Sequence, residues 1–130
     1  MRAFFPYIAS ALLLSGCATA VSKQEAATAR FEPLPDNYQQ LIREFNVGRL
    51  KDPYTAVYRF GQPRRGYWQD GIALGGKKHF GYIVPVGINA RNSFGGYVGE
   101  QMFYYGYENG RIVGVTSLWE GPPKMAGFIE

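Results

Sequence analysis

The sequence contains few of the residues from which catalytic and metal centres are most often built. Its 130 residues include one cysteine, Cys17, and one histidine, His79. Zinc sites are made mainly from several cysteine and histidine ligands, so we expect neither a metal nor a cofactor. A lone cysteine also excludes an intramolecular disulfide, which leaves the hydrophobic core to stabilise the fold.

Charge and long apolar segments are scarce as well. Asp, Glu, Lys and Arg make up 18% of the chain, and the net charge of +4 is dispersed along it. This distribution is not typical of nucleic-acid-binding proteins, so we expect no nucleic-acid partner. The one long apolar run, residues 3–14, is shorter than the roughly 20 apolar residues that a membrane-spanning helix requires.

The short apolar run belongs to a pattern that is typical of exported proteins. One positive charge at Arg2 precedes it, and Leu14-Ser15-Gly16-Cys17 ends it. An aliphatic residue, two small residues and a cysteine closely resemble the lipobox of bacterial lipoproteins. The resemblance implies cleavage before Cys17, a diacylglycerol on its sulfur and an acylated amino terminus, and such multiple acyl chains hold a protein stably on a membrane. The alternative is a buried free cysteine in a short hydrophobic element.

The residue after the cysteine bears on the destination. In many lipoproteins that stay in the inner membrane this residue is an aspartate, whereas this chain has Ala18. The resemblance therefore implies a lipid-anchored protein of the cell outer membrane, where we expect it to face the periplasm.

Composition divides the chain into four parts. We predict a signal peptide at 1–16, a flexible tether at 17–33, a folded domain at 34–124 and a tail at 125–130. The tether is assigned because Ala18–Arg30 is small and polar and has no apolar stripe.

The folded domain is predicted to begin with a helix. Asp36 is a suitable N-cap, and the helix is expected to continue to about Val47. Apolar side chains recur there at the spacing of one helical face, which would pack onto a sheet: Tyr38, Leu41, Ile42 and Phe45.

Strands are predicted to follow the helix. The segment 79–88 alternates in polarity, and its Pro85 lacks an N–H, so this strand is expected at a sheet edge or with a bulge. Asn109-Gly110 tolerates positive φ at both positions, which predicts a type I′ hairpin with Tyr107 facing Ile112. The predicted fold class is α+β, with one N-terminal helix packed on a small antiparallel sheet of three to five strands.

Two segments of the domain have a distinctive composition. Leu50–Phe60 reads LKDPYTAVYRF, and Asn89–Gly99 reads NARNSFGGYVG. Together they resemble a recurring family of small bacterial envelope lipoproteins and phage-associated proteins of unknown function, over roughly residues 34–116. Many members have a cysteine and a glycine before the loop, where this chain has Val86-Gly87. Because the family has no established chemistry, the resemblance implies no catalytic role.

The loop itself has two interpretations. Asn89, Asn92 and the loop glycines tolerate left-handed backbone and bond to their own chain, which is typical of a tight structural turn. Alternatively, successive amides of the loop form an anion-binding nest, assisted by Arg91. We favour the structural interpretation.

A second candidate surface lies in the glycine-rich connection between the predicted strands. It interleaves basic and aromatic side chains, which suits an anionic polymer, lipid headgroups or a partner protein: Arg64, Arg65, Tyr67, Trp68, Lys77 and Lys78. The alternative is a solvated loop with Trp68 in the core.

The sequence therefore favours binding over catalysis. We predict a lipid-anchored, non-catalytic outer-membrane lipoprotein that acts as a small binding or accessory module in the cell envelope. Its partners would be the membrane, through acyl chains on Cys17, and an envelope protein or an anionic polymer. An exposed apolar patch beside the hairpin would favour an accessory subunit. The alternative function is a small envelope hydrolase that uses a grouping of Ser93, His79 and Glu100.

Overall fold

The computed structural model describes residues 21–115 and 126–129. The predicted signal peptide, the lipobox and Cys17 lie outside these residues. The described part is mostly antiparallel sheet with short helices, so the fold is α+β-like. No helix in it is both long and apolar enough to cross a bilayer.

Two helices precede the sheet in the described chain, α1 at Lys23–Thr28 and α2 at Tyr38–Val47. Helix α2 lies within the predicted range, although its N-cap is Asn37 and not Asp36. The strands and one 3₁₀ turn follow in this order: β1 Val57–Phe60, β2 Arg64–Gln69, the turn Ile72–Leu74, β3 Lys78–Asn89, β4 Gln101–Glu108, β5 Arg111–Val115 and β6 Ala126–Phe128.

The long strand β3 is the centre of the sheet. The strand order is β5-β4-β3-β2-β6. Strand β2 pairs with the N-terminal part of β3, and β1 pairs with its C-terminal part. Between β1 and β2, residues 61–63 stand opposite residues 84 and 85, so the partner strand bulges beside Pro85. Gly61 donates its N–H to the Pro85 carbonyl at 2.7 Å. The edge interpretation of Pro85 is wrong, and the predicted bulge lies in the facing β1–β2 segment and not in β3 itself.

One face of the sheet, the helix face, packs against α2. The buried cluster there joins Ile42 of α2 to Val84, Val86 and Ile88 of β3 and to Tyr105 of β4. The predicted apolar stripe of α2 packs on this cluster. Fully burying such side chains contributes about 1.5–3 kcal/mol each, which makes this contact the main source of stability.

A buried polar contact fixes α2 on the sheet. Asn46 is buried, and its amide donates to the Ile42 carbonyl at 3.1 Å and to the Tyr105 hydroxyl at 2.9 Å. Burial raises the pKa of Tyr105, which outweighs the lowering effect of its hydrogen bond to Asn46. The phenol therefore stays neutral and remains available as a hydrogen-bond partner.

The predicted hairpin is confirmed at its turn and in its register. Asn109 has φ of 53° and Gly110 has φ of 74°, and Tyr107 pairs with Ile112. Glu108 pairs with Arg111 directly beside the turn.

The fold differs from the sequence prediction in three places. The predicted tether at 17–33 contains helix α1, and its Phe31 ring lies edge-on to Phe80 and Tyr82, with centroids 6.4 Å away in both cases. The predicted tail at 125–130 contains β6, which pairs with β2. The described sheet has six strands and not three to five, and a second helix accompanies it, because both chain flanks join the domain.

Candidate functional site

The polar and aromatic side chains form two groups at opposite ends of β3. The clamp end comprises Trp68, Asp70, His79 and Glu108, near the first residues of β3. The open end comprises residues 50–57, the loop 89–99 and Met102, near its last residues. At about 3.3 Å per residue, the length of β3 separates the two ends by roughly 35 Å.

At the clamp end, His79 is held between two carboxylates. Its Nε2 lies 2.9 Å from Asp70 Oδ2, and its Nδ1 lies 2.8 Å from Glu108 Oε2. The indole of Trp68 stacks on the imidazole with centroids 5.8 Å apart and an interplanar angle of 8°. Asp70 follows β2 and Glu108 ends β4, so the imidazole links three neighbouring strands.

Two glycines make room for this arrangement on the second face of the sheet, away from α2. A Cβ on Gly106 would lie 2.7 Å from Trp68 Cη2, and one on Gly81 would lie 3.0 Å from the same atom. A Cβ on Gly81 would also collide with the Tyr107 carbonyl oxygen. The indole therefore lies flat over bare backbone, and only glycine fits beneath it.

The electrostatics of the clamp end favour a charged imidazole. Partial burial lowers the pKa of His79, but the hydrogen bonds to Asp70 and Glu108 outweigh it, so the pKa is raised above the usual value of 6.5. When the imidazole is protonated, both ring nitrogens donate to carboxylates, and the ring has no lone pair with which to accept a proton. A general base needs that lone pair, so the protonated form of His79 is suited to holding strands together.

The hypothetical grouping of Ser93, His79 and Glu100 is not brought together. Ser93 Oγ accepts from Lys51 Nζ at 2.7 Å, and Glu100 forms an ion pair with Arg59. The Glu100 carboxylate lies against Gly87, eight residues along β3 from His79, which corresponds to about 26 Å. The two carboxylates that do meet His79 are Asp70 and Glu108.

The basic and aromatic residues from Arg64 to Lys78 do not form one surface. Strand β2 alternates, so Tyr67 is opposite Phe80 on the helix face and Trp68 is opposite His79 on the second face. Tyr67 is only 6% exposed. The basic side chains are placed as follows: Arg64 over the Phe128 ring at 4.3 Å, Arg65 over the Phe31 ring at 5.1 Å, Lys78 in an ion pair with Glu25 at 2.9 Å, and Lys77 exposed.

At the open end, the two predicted loop asparagines bond to their own chain. Asn92 Oδ1 accepts from the N–H groups of Phe94 at 2.9 Å and Gly96 at 3.1 Å, and Asn89 Oδ1 accepts from Gly99 N–H at 3.1 Å. These amides would have been the donors of an anion-binding nest. The geometry therefore agrees with the structural interpretation of the loop backbone.

The side chains of the loop, in contrast, face outward. Phe94 is 96% exposed and Tyr54 is 87% exposed, whereas a typical large aromatic residue is mostly buried. Most exposed large apolar side chains of the described chain lie at this end: Tyr54, Val57, Phe94, Tyr97, Val98 and Met102. They are at the opposite end of the sheet from the hairpin, whereas the apolar patch expected of an accessory subunit would lie beside the hairpin.

Polar contacts hold the two segments of the open end together. The Tyr97 hydroxyl donates to the Thr55 carbonyl at 2.9 Å, and the Lys51 ammonium donates to Ser93. The Arg91 guanidinium lies 5.1 Å from the Tyr97 ring centroid, and Arg91 and Tyr97 form an isolated antiparallel bridge. The exposed aromatic rings therefore stand on a braced support.

Two buried polar atoms at this braced support lack hydrogen-bond partners among the described residues. They are Thr55 Oγ1 and Arg91 Nε. Leaving such an atom buried and unpaired costs about 1–3 kcal/mol, and more for a charged group. Both atoms belong to residues that contact Tyr97, whereas the third such atom of the described residues, Gln69 Oε1, lies at the other end of the sheet.

A cleft of about 350 Å³ lies at the other end, between the segment after α1 and the hairpin. Its lining includes Arg30, Glu32 and Glu108. Glu32 already accepts from Gly110 N–H at 3.1 Å, and Glu108 is bonded to His79. Because the cleft's acidic groups are already used within the protein, it is a weaker candidate than the open end.

No group of three or more His, Cys, Asp or Glu side chains within residues 21–115 and 126–129 is arranged to hold a metal ion. At the clamp end the reason is geometric, because Asp70 and Glu108 approach opposite nitrogens of His79 and so do not converge on one point.

Sequence reasoning missed the partners of His79 and the exposed residues that accompany the loop. Asp70 and Glu108 come together with His79 only through strand register, which the sequence does not display. Tyr54 and Thr55 lie in the turn that precedes β1, which begins at Val57. The Asp52-Pro53 pair just before them is the signal that could have indicated a turn there.

Comparisons with models of protein families, with curated proteins and with solved structures gave no match.

Proposed function

We propose that the protein is a lipid-anchored, non-catalytic module of the cell envelope that binds its partner through the open end. Acyl chains on Cys17 would hold it in the outer membrane, facing the periplasm. The observation that supports the binding role is the group of solvent-facing aromatic rings on a braced loop, with Phe94 almost fully exposed.

Binding is the role that this arrangement suits best. Exposed aromatic side chains keep apolar surface in contact with water, and a partner that covers this surface is favoured. Large exposed apolar patches are associated with interaction sites. The clamp end provides a rigid counterpart, since its aromatic and charged groups already bond to one another. The alternative of an envelope hydrolase lacks geometric support, because Ser93, His79 and Glu100 have separate partners.

Helix α1 would place the open end away from the anchoring membrane. Four residues lie between Cys17 and Ser22, the N-cap of α1, and the five Cα–Cα steps that join the two residues span at most about 18 Å. Helix α1 is joined by Glu25 to Lys78, at the start of β3. The start of β3 would therefore lie near the bilayer, and the loop 89–99 at its far end would project into the periplasm.

The anchor is tested by labelling cells with an alkyne analogue of palmitate. We expect the wild-type protein to be labelled and to fractionate with outer membranes, and Cys17→Ser to be unlabelled and to keep residues 1–16. The double substitution Tyr54→Ala/Phe94→Ala is the matched control, since it should leave labelling and fractionation unchanged. A wild-type protein that matures without acyl label would contradict the proposal.

A further inference from the structure

We infer that the open end binds an acidic polysaccharide, with cationic side chains meeting its negative groups and exposed aromatic rings packing on its sugars. This inference rests on the proposed function, because it names the class of partner for the same surface. Four features of the open end support it.

The first feature is an excess of unused positive donors. Lys51 has three N–H donors and gives one to Ser93, and Arg91 Nε has no acceptor among the described residues. The ion pairs found among the described residues involve Arg59, Lys78 and His79, and none of them involves Lys51 or Arg91. A negatively charged group at the surface would therefore meet the exposed Lys51 ammonium, which has donors to spare. Arg91 Nε is itself buried, so Arg91 contributes through its positive charge and not through a bond from that atom.

The second feature is the charge balance around those donors. Glu100 is the next acidic residue after Arg91 in the sequence, and its charge is neutralised by an ion pair with Arg59. The Arg59 partner lowers the pKa of Glu100, so this carboxylate remains ionised and paired. Lys51 and Arg91 are then opposed only by Asp52 within the open end, which leaves the surface weakly positive.

The third feature is the placement of the aromatic rings. Tyr54 and Phe94 project into solvent, and Tyr97 carries the Arg91 guanidinium on its face. The negative face of an aromatic ring attracts the C–H groups on the flat side of a pyranose ring. The Lys51–Ser93 contact places hydrogen-bonding groups next to Phe94 in the same loop. A sugar polymer offers hydroxyl groups to such polar side chains and C–H faces to aromatic rings, whereas a protein partner would favour a continuous apolar core.

The fourth feature is position. The open end lies roughly 35 Å along β3 from the strand end that helix α1 contacts. The headgroups of the anchoring bilayer are therefore at the wrong end of the domain. A polymer that runs through the periplasm would meet the open end directly.

The test measures binding of the mature acylated protein, in detergent, to an oligogalacturonate by isothermal titration calorimetry. Neutral dextran of equal length and inorganic phosphate at equal charge are the comparison probes. We expect oligogalacturonate to bind at least about tenfold more tightly than dextran, a difference of ~1.4 kcal/mol. We expect affinity to fall about tenfold in each of Arg91→Gln and Phe94→Ala, and to weaken as salt is raised.

Matched controls come from the clamp end. Lys77→Gln removes an exposed cation and Leu74→Ala removes an exposed apolar side chain, and both should leave the affinity unchanged. Circular dichroism of each variant shows whether it is folded, and Arg91→Lys provides a second variant that keeps the charge and should retain most of the binding.

The remaining outcomes overturn the inference. Equal affinity for phosphate alone would show a simple ion site, and equal affinity for dextran would remove the role of charge. No binding to oligogalacturonate would contradict the acidic polysaccharide directly, and an affinity that Arg91→Gln and Phe94→Ala both leave unchanged would place the binding outside the open end. In each case, acyl labelling of Cys17 still reports on the anchor separately, so failure of the ligand class and failure of the proposed anchor are distinguishable.

Discussion

At the clamp end of the sheet, aromatic and charged side chains bond to one another, whereas at the open end the same kinds of side chain face solvent. Trp68 stacks on His79, and both nitrogens of His79 meet carboxylates. The Phe94 side chain is almost fully exposed to solvent, and Arg91 Nε has no acceptor among the described residues. The comparison indicates that one end of this fold contributes to stability and that the other is available for a ligand.

Backbone geometry explains how the two ends diverge on one central strand. At the clamp end, Gly81 and Gly106 let an indole lie flat on the sheet. Towards the open end, the space over the Gly87 Cα is filled by the Glu100 carboxylate, which forms an ion pair with Arg59. The aromatic residues there belong to loops, so no sheet surface covers them.

The largest expected effect comes from filling the glycine space at the clamp end. Gly81→Ala would force its new methyl group against the Tyr107 carbonyl and Trp68, and overpacking of this kind typically costs about 1–3 kcal/mol. Urea unfolding of the full chain measures the change. Gly114→Ala is the matched control, since its methyl group would lie 3.7 Å from Phe45, an ordinary contact. Equal stability of the two variants would contradict the described packing of Trp68.

A somewhat smaller effect is expected from the charged imidazole. Because the folded-state pKa of His79 is raised, its stabilisation is fully present below about pH 6.5 and is lost as pH rises through the folded-state pKa. His79→Gln should lower the free energy of unfolding by about 1–2 kcal/mol at pH 5.5, because glutamine keeps part of the hydrogen bonding but not the charge, and by less at pH 9. Urea unfolding at both pH values provides the measurement. A deficit that grows with pH would show that the imidazole is neutral in the folded protein.

Helix α1 should be the next most sensitive element. The N-cap N–H of Ser22, the Lys78 ammonium and the Ser22 hydroxyl lower the pKa of Glu25 from 4.5 to about 2. Its contacts are therefore present above pH 4.5 and are lost as pH falls towards 2. Glu25→Gln should speed amide hydrogen exchange in α1 at pH 7 and leave exchange in β3 unchanged. Glu44→Gln, on the exposed side of α2, is the control. Unchanged exchange in α1 would mean that Glu25 does not hold this helix.

The smallest effect on stability is expected at the open end. Phe94→Ala removes a ring that is almost fully exposed, so the free energy of unfolding should change by no more than about 0.5 kcal/mol. The contrast with Gly81→Ala defines the difference between the two ends. A loss of several kcal/mol on removing Phe94 would show that the ring is buried, and the open end would then lose its role as a free surface.

Local sequence signals predicted the local parts of the fold. The turn at Asn109-Gly110 and the apolar stripe of α2 depend on neighbouring residues, so pattern and conformational preference were sufficient. Helix α1 also carried a local signal that was not used. Ser22 and Glu25 form a capping box at the expected spacing, although the helix they begin has only six residues.

Non-local features could not be read in the same way. The clamp end requires Asp70, His79 and Glu108 to be placed in register on three strands, and the sequence alone does not specify register. The grouping of Tyr67 with Trp68 was wrong for a related reason, because adjacent residues of a strand point to opposite faces. Strand β6 has three residues, too few to produce a recognisable alternation.

The central claim is that ligands meet the open end and leave the clamp end unaltered. Amide hydrogen exchange of the mature acylated protein, measured with and without oligogalacturonate, tests this claim most directly. We predict added protection confined to residues 50–57 and 89–102, with no change at residues 66–70, 78–82 and 106–111. Protection centred on the clamp end, or none at the open end under saturating oligogalacturonate, would contradict the account.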